Sequence, residues 1–157
     1  VTRPAIGVED EDLGALPGEL DAKVQPWFQP ILDILNQHFG TSHVECLIKS
    51  KKILFVPMAH LRGLSLNSCF IILDECQNAT PKKVLTLLTR IGENSKCVLD
   101  GDPEQVDIHG ESGLMDAVRR LKDVPDIAVV TFSDADIVRH RLIADIMKAY
   151  RKSAPDA

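Results

Sequence analysis

Aromatic residues are scarce in this sequence, and long apolar runs are missing from it. Phe, Trp and Tyr together make up 4% of its 157 residues, which argues against a surface on which successive bases of a single strand stack. No apolar run approaches the about 20 residues that cross a bilayer, and no signal-peptide pattern is visible. These absences favour a soluble globular protein that makes no contact with a membrane.

Cysteine pairs with the spacing of a metal or redox motif are also missing. None of the cysteines belongs to a Cys-x-x-Cys pair, and two sit inside apolar runs, where buried thiols are common. The four are Cys46, Cys69, Cys76 and Cys97. A reducing cytoplasm is therefore a simpler expectation than a disulfide framework. The net charge of −5 argues against a protein held to nucleic acid by bulk charge.

The length and composition are those of one domain with a sizeable core. Apolar residues make up 45% of the chain and charged residues 26%, as in ordinary globular proteins. We expect a single domain over residues 1–157, with a long functional loop rich in Gly, Pro and acid over 4–22 and a tail over 153–157. The chain begins at Val1 rather than Met, and its first residues look like the end of a strand.

Apolar strands alternate with helices along the rest of the chain. The predicted strands are residues 53–56, 69–73, 96–99 and 127–132. The predicted helices are residues 27–38, which Gly40 ends, 81–91, 112–121 and 133–152. Pro26 and Pro30 mark the start of the first helix, and Trp27 is expected to pack in the core. This order predicts an α/β fold with a mostly parallel sheet.

Two of these strands end in acidic loops. Asp74 and Glu75 follow residues 69–73, and Asp100 and Asp102 follow residues 96–99. Because ligands of such sheets bind at the carboxyl ends of the strands, the two loops predict one site. An apolar strand that ends in Asp-Glu is the Walker B arrangement, in which Asp helps to hold Mg²⁺ and Glu polarises a water. A pair of solvated turn carboxylates is the alternative interpretation of Asp-Glu alone.

Two glutamines strengthen the first interpretation. Gln77 belongs to an Asp-Glu-x-Gln sequence and Gln105 to a Gly-Asp-x-x-Gln sequence. An amide both donates and accepts hydrogen bonds, so it can orient a water or sense a terminal phosphate. The two sequences resemble motifs II and III of superfamily 1 helicases.

A wider set of stretches, in family order over about residues 1–150, resembles the PhoH-like family of phosphate-starvation-associated ATPases. The stretches are Thr-Arg-Pro-Ala (2–5), Leu-Gly-Ala-Leu-Pro-Gly (13–18), Arg-Gly (62–63), Leu-Asn (66–67), Phe-Ile-Ile-Leu-Asp-Glu-Cys-Gln-Asn (70–78), Leu-Thr-Arg-Ile-Gly (88–92), Gly-Asp (101–102) with Gln105, Ser-Gly-Leu (112–114) and Ile-Val-Arg-His (137–140).

The resemblance implies an ATP-hydrolysing domain with the three-layer RecA-like P-loop core, related to helicase motors and often assembled as a homo-oligomeric ring. By position, Asp74 resembles the acid that holds Mg²⁺ through water, Glu75 the catalytic base and Gln105 the sensor of the γ-phosphate. Gln77 and Asp102 fall in the same nucleotide-binding motifs.

The resemblance also implies roles for three arginines and for nucleic acid. Arg62, Arg90 and Arg139 match family arginines. One of them could act in trans as an arginine finger, and Arg139 is the first choice because it opens a helix after the last strand. Arg3 and the loop over 4–22 match a region that touches the nucleic-acid strand in related motors, so RNA or single-stranded nucleic acid is an expected partner.

One family motif is missing from these residues. No Gly-x-x-x-x-Gly-Lys-Thr sequence, the Walker A loop that cradles the phosphates, occurs in the chain. Either the Walker A unit precedes Val1 and the chain is a piece of a longer ATPase, or the natural protein lacks the loop. In the second case the domain is a non-catalytic module that oligomerises or binds nucleic acid. A third reading is a metal-dependent nuclease with two ions at Asp74, Glu75 and Asp102.

Overall fold

The structure, a computed structural model, contains a parallel sheet with helices packed against it. It describes residues 1–4, 20–133, 136, 143 and 146, with the backbone alone for 20–25. The helices are α1 (Leu20–Phe39), α2 (Thr41–Lys49), α3 (Pro81–Leu88) and α4 (Gly113–Leu121), and the strands are β1 (Phe70–Leu73) and β2 (Lys96–Leu99). Short 3-10 turns cover Met58–Leu61 and Cys76–Asn78. The predicted α/β class is confirmed.

The sheet extends beyond its two named strands on the β1 side. β1 and β2 run parallel, with Phe70 opposite Lys96 and Leu73 opposite Leu99. Thr2 forms a parallel bridge with Leu73, so the first residues do run alongside β1 like the end of a strand. The predicted strand over 53–56 is wrong as a full strand. This segment lies beside Val1, and two hydrogen bonds join them. Val56 N donates to Val1 O (2.9 Å), and Val1 N donates to Leu54 O (2.7 Å).

The core lies on the face of the sheet that carries Ile71 and Leu73. α3 packs against α4 over this face. The buried members of the core are Leu61, Ile71, Leu73, Cys76, Ala79, Val84, Leu87 and Ala117. Phe70, which alternation places on the opposite face, is 61% exposed.

Among the cysteines, Cys76 is buried, Cys69 and Cys97 are partly buried, and Cys46 is exposed. All four are free thiols. Burial raises the pKa of Cys76 to about 12 and the pKa of Cys97 to about 11. These two thiols therefore stay protonated and weakly nucleophilic at neutral pH.

Helix α1 begins at Leu20, earlier than predicted, so Pro26 and Pro30 lie inside it. Each proline removes one backbone hydrogen bond from a helix interior, which is why the sequence suggested a start near them. Phe28 is 1% exposed and stacks on Phe55 with ring centroids 5.0 Å apart, so packing stabilises the helix across this point. Gly40, with φ of 80°, ends α1 as predicted, and α2 follows it without having been predicted.

Helix α3 starts as the sequence indicates and ends early. The hydroxyl of Thr80 accepts a hydrogen bond from Lys83 N, and Pro81 occupies the first turn. The helix stops at Leu88 rather than residue 91 because Arg90 O and Gly92 N bond to Leu66 (2.8 and 2.9 Å) in a parallel bridge. α4 confirms the helix predicted over 112–121.

The chain divides into two compact units, Val1–Val124 and Pro125–Ala157. In the second unit, residues 127–132 form no strand in the described part of the chain, and Phe132 is 79% exposed. The predicted strand is wrong there because an apolar run becomes a strand only beside a hydrogen-bonding neighbour. The predicted helix over 133–152 falls mostly outside the described residues, although Ser133 N and Oγ both donate to Asp136 Oδ2 (2.7 and 2.8 Å).

Most of the loop predicted over 4–22 also falls outside the described residues, and its last three residues are helical in α1. The expectations of a single domain and of a tail over 153–157 stay predictions. Within the described residues, no helix is both long and apolar enough to cross a bilayer.

Candidate functional site

The loops that follow β1 and β2 meet at the carboxyl end of the sheet. Leu73 and Leu99 are register partners, so the residues after them leave the sheet side by side. The backbone joins the loops directly, because Asp100 N donates to Leu73 O (2.9 Å) and Cys76 N donates to Asp100 O (2.8 Å). The predicted convergence of the two acidic loops is confirmed.

Asp74 and Glu75 share one arginine. Arg3 Nε lies 2.9 Å from Asp74 Oδ2, and Arg3 Nη2 lies 3.1 Å from Glu75 Oε1. The other oxygen of Asp74 accepts a hydrogen bond from Glu75 N at 3.0 Å. The two carboxylates are thus held next to one another by a single cation that spans both.

Burial changes the ionisation of Asp74. Its partial removal from water raises the pKa of the carboxyl, while the nearby Arg3 opposes this rise and the charges of Glu75 and Asp100 add to it. A raised pKa means that the charged form is less favourable at this site than in water. A cation that binds beside Asp74 would therefore stabilise the charged form of its carboxyl group.

Glu75 has an unusual backbone conformation. Its φ of 54° and ψ of 37° lie in the left-handed region, which residues with a Cβ adopt at a cost of about 1 kcal/mol. The turn Cys76–Asn78 follows at once and is buried throughout. This conformation turns the chain sharply out of β1 and leaves the Glu75 side chain 39% exposed. Strained residues of this kind often occur at functional sites.

Gln77 is fully buried and joins the two loops. Its Nε2 donates to Glu75 Oε2 (2.6 Å) and to Gln105 O (3.1 Å), and its Oε1 accepts from Asp102 N (3.2 Å). Both N–H groups of the amide are therefore used within the protein. In this arrangement Gln77 holds other residues of the site, whereas the sequence predicts that it meets the nucleotide.

The loop after β2 is mostly exposed and closes on itself. Asp102 Oδ1 accepts from Glu104 N (2.9 Å), and Asp102 Oδ2 accepts from Gln105 Nε2 (2.6 Å). Gln105 is exposed, so its amide can exchange the bond to Asp102 for one to water or to a bound molecule. Asp102 organises the loop that carries Gln105.

A shallow cleft of about 270 Å³ opens over these residues. It is lined by Arg3, Pro4, Trp27, Glu75, Gln77, Asn78, Gln105 and Asp107. It is slightly smaller than the roughly 300–1,000 Å³ that small-molecule sites enclose. The cleft brings together the predicted base and the predicted phosphate sensor.

Several residues of the cleft were not predicted for it. Asn78 is 5% exposed, and its Oδ1 accepts from Asp107 N at 2.7 Å. Trp27 is only half-buried and lines the cleft, so the expectation that it packs in the core is wrong; the neighbouring Phe28 fills that place. A polar residue next to Asp-Glu-x-Gln was the one available signal for Asn78.

The predicted arginines do not gather at the cleft within the described part of the chain. Arg62 is exposed at the end of the turn Met58–Leu61. Arg90 lies beside the bridge of Leu66 with Ile91. Leu66 comes before β1 and Ile91 before β2 in the chain, so this bridge lies at the amino end of the strands, opposite the cleft. Arg139 lies outside the described residues. A role in trans for any of the three stays a prediction.

The donors at the strand ends suit a hard cation that phosphate oxygens help to hold. Carboxylate and amide oxygens are the ligands that Mg²⁺ prefers, usually with one or two carboxylates and substrate phosphates. Within the described residues, no group of three or more His, Cys, Asp or Glu is placed to hold a metal alone. Asp74, Glu75 and Asp102 therefore do not form the ligand set that a two-metal nuclease requires.

Comparison with known proteins gives consistent matches. A family model described as PhoH-like protein matches residues 1–151. The chain is 40% identical over 154 residues to the PhoH-like protein of Bacillus subtilis (strain 168), and the aligned region covers 97% of this chain and 48% of that protein. It is 40% identical over 154 residues to the PhoH-like protein of Mycobacterium tuberculosis (strain H37Rv), with 97% and 44% covered. It is 36% identical over 154 residues to Protein PhoH of Escherichia coli (strain K12), with 96% and 43% covered. The chain thus spans a little under half the length of these relatives.

Proposed function

Because the chain belongs to the PhoH-like protein family, we propose that the protein in its full natural length binds ATP with Mg²⁺ and hydrolyses it at the cleft described above. Family membership supports a nucleotide-binding domain of the ATPase type. The arrangement that carries the finer proposal is the meeting of Glu75 and Gln105 at one cleft, next to Asp74. Phosphoryl transfer to water uses, among other parts, an acid that holds Mg²⁺, a residue that orients the water and residues that contact the terminal phosphate, and these three residues are of suitable types.

Each residue has a task that its contacts allow. Asp74 would hold Mg²⁺ through water, since Oδ1 is bonded to Glu75 N and Oδ2 to Arg3 and each oxygen keeps a second lone pair. Glu75 would take a proton from the attacking water, since each carboxylate oxygen has a second lone pair beyond the one it shares with Arg3 or Gln77. Gln105, on the exposed loop, would contact the terminal phosphate.

Bound Mg²⁺ and ATP would supply the electrophilic phosphorus and the charge neutralisation at its oxygens. The chain's own contribution is to place a base and an amide at fixed positions beside that group. The backbone amides and lysine of a Walker A loop are not among these 157 residues, so the proposal concerns the protein in its full length.

Substitution of the base tests the proposal. In the full-length protein, Glu75→Gln should lower the rate of Mg²⁺-dependent phosphate release by about 10²- to 10⁴-fold, because general base catalysis contributes about that much. Glu45→Gln is the matched control, since Glu45 is an exposed residue of α2. Hydrolysis that is unchanged in Glu75→Gln would show that the base is assigned wrongly.

A second candidate is a module that oligomerises or binds nucleic acid and does not hydrolyse ATP. The observation in its favour is the lack of a phosphate-cradling loop in the chain. Calorimetric titration of the full-length protein with a non-hydrolysable ATP analogue and Mg²⁺, together with a phosphate-release assay with ATP, separates the two candidates. Micromolar binding accompanied by phosphate release would contradict the second candidate.

Action on RNA and assembly into a homo-oligomeric ring are further proposals that rest on the family resemblance. RNA that stimulates phosphate release from the full-length protein would support the first. A mass several times that of the monomer, measured by light scattering, would support the second.

Restored hydrolysis on mixing an Arg139→Ala variant with a Glu75→Gln variant would support an arginine that acts in trans.

A further inference from the structure

Arg3 makes three contacts with its one guanidinium group. The edge formed by Nε and Nη2 meets Asp74 and Glu75 at 2.9 and 3.1 Å. On the other side, Nη1 donates to the backbone carbonyl of Trp27 at 2.5 Å. Its side chain is only 18% exposed. Three of the five guanidinium N–H groups are thus used, and because the group is planar and rigid, little further freedom is lost with each bond.

These contacts join parts of the chain that are far apart in sequence. Residue 3 lies beside β1, because Thr2 forms a bridge with Leu73. Trp27 belongs to helix α1 and lines the same cleft as Arg3 and Glu75. The guanidinium thus connects the loop after β1, on one side of the cleft, with α1 on the other side.

We propose that Arg3 is a positioning residue, which holds the Glu75 carboxylate in place at the cleft and fixes the strand end to α1 through the Trp27 carbonyl. The inference rests on the function proposed above, because Glu75 is the base of that reaction. Arg3 itself is not assigned a contact with ATP.

The way in which Glu75 is held supports this role. Arg3 bonds Oε1 and Gln77 bonds Oε2, so the carboxylate is gripped from both sides and cannot rotate freely. Gln77 is in turn fixed by the loop after β2, and Arg3 is fixed by α1. Since the reacting groups of an enzyme must be placed to within about 1 Å, loss of one grip should slow the reaction more than it weakens binding.

Lysine cannot replace this arginine. An ammonium group is a point charge without the planar fork that reaches two carboxylates on one edge and a carbonyl on the other. Arg3→Lys therefore keeps the charge and loses the geometry, whereas Arg3→Ala loses both. The pair of variants separates positioning from simple neutralisation of the two carboxylates.

Steady-state kinetics of the full-length protein test the proposal. Arg3→Ala should lower kcat by about 10- to 100-fold and leave KM for ATP within about threefold, as expected when an interaction that matters in the transition state is lost. Arg3→Lys should also lower kcat, by less. Added guanidinium at a non-denaturing concentration should restore part of the activity of Arg3→Ala, and an equal concentration of NaCl should not.

Arg119→Ala is the matched control, because Arg119 also contacts two carboxylates, Glu111 and Asp116, and lies on the exposed side of α4. Its kcat should equal that of the unchanged protein. If the unchanged protein is active and Arg3→Ala keeps its kcat, the positioning role is wrong. A rise in kcat would also overturn it, because Arg3 would then restrain the site.

Amide hydrogen exchange of the protein without nucleotide separates this inference from the proposed function. Arg3→Ala should speed exchange both at residues 74–78 and at residues 26–31, and Arg119→Ala at neither. If the unchanged protein does not hydrolyse ATP, the proposed function fails while this measurement still tests the link. Unchanged exchange in either segment of Arg3→Ala would overturn the link itself.

Discussion

The loop after β1 buries its glutamine, whereas the loop after β2 exposes its own. Gln77 is 0% exposed and bonds to three different residues, while Gln105 is exposed and bonds through its side chain to Asp102 of its own loop. The first loop is a compact buried turn, and the second has most of its residues in solvent.

The two loops therefore contribute in different ways to the candidate site. The second loop takes part of its shape from the first, because Gln77 and Asn78 bond to its backbone at Asp102, Gln105 and Asp107. The first loop therefore acts as a rigid template, and the second presents an amide that is able to move. Similar sequence motifs have different mechanical roles.

Removal of the buried glutamine should have the largest effect on stability. Gln77→Ala leaves Asp102 N and Gln105 O without their partner and opens a cavity, so we expect a loss of about 3 kcal/mol in the free energy of unfolding. Gln105→Ala, the control in the other loop, should stay within about 0.5 kcal/mol. Urea unfolding of both variants measures the contrast, and similar losses would remove the distinction between the loops.

A methyl group added where the loops touch should have the next largest effect. An ideal Cβ at Gly101 would lie 2.2 Å from Gln77 Oε1 and 3.1 Å from Gln77 N. Gly101→Ala should therefore cost about 2 kcal/mol, since the Gln77 amide must leave its place. In the double variant with Gln77→Ala the closest obstruction, Gln77 Oε1, is gone, so thermal unfolding should show losses that are less than additive. Additive losses would mean that the two residues do not interact.

Loss of the second bond between the loops should have a smaller effect. Asn78→Ala removes the acceptor of Asp107 N and should cost about 1–2 kcal/mol. Because the bond fixes the exposed loop, amide exchange at residues 102–107 should speed up more than exchange at residues 70–73. Equal acceleration in both segments would show that Asn78 supports the whole site rather than the second loop.

Much of this site could be predicted from the sequence because strand ends are encoded locally. The apolar run before Asp74 and the apolar run before Asp100 place both loops at one edge of a parallel sheet, whatever the details of packing. The same local logic failed for residues 127–132, where pairing depends on a neighbour that the run itself does not specify. It also failed for α1, where the packing of Phe28 against Phe55 outweighed two prolines.

The roles of individual polar residues were harder to predict. Gln77 and Gln105 are the same residue type in similar motifs. Only their burial distinguishes Gln77, which fixes the neighbouring loop, from Gln105, whose amide faces solvent. Arg3 lies 72 residues from Glu75 in sequence, so no local pattern indicates that they meet. Contacts of this kind are set by the fold as a whole.

The left-handed backbone of Glu75 gives the smallest and most specific test of the template. With φ of 54°, a residue with a Cβ is strained there, so Glu75→Gly should be more stable than Glu75→Ala by about 1 kcal/mol. Both variants lose the carboxylate, and the comparison therefore isolates the backbone. At Leu85, an exposed residue of α3, the order should reverse, because glycine inside a helix costs about 1 kcal/mol relative to alanine. Urea unfolding of the four variants checks both signs. If alanine is the more stable residue at both positions, the turn out of β1 relaxes without strain, and the first loop is less rigid than its burial indicates.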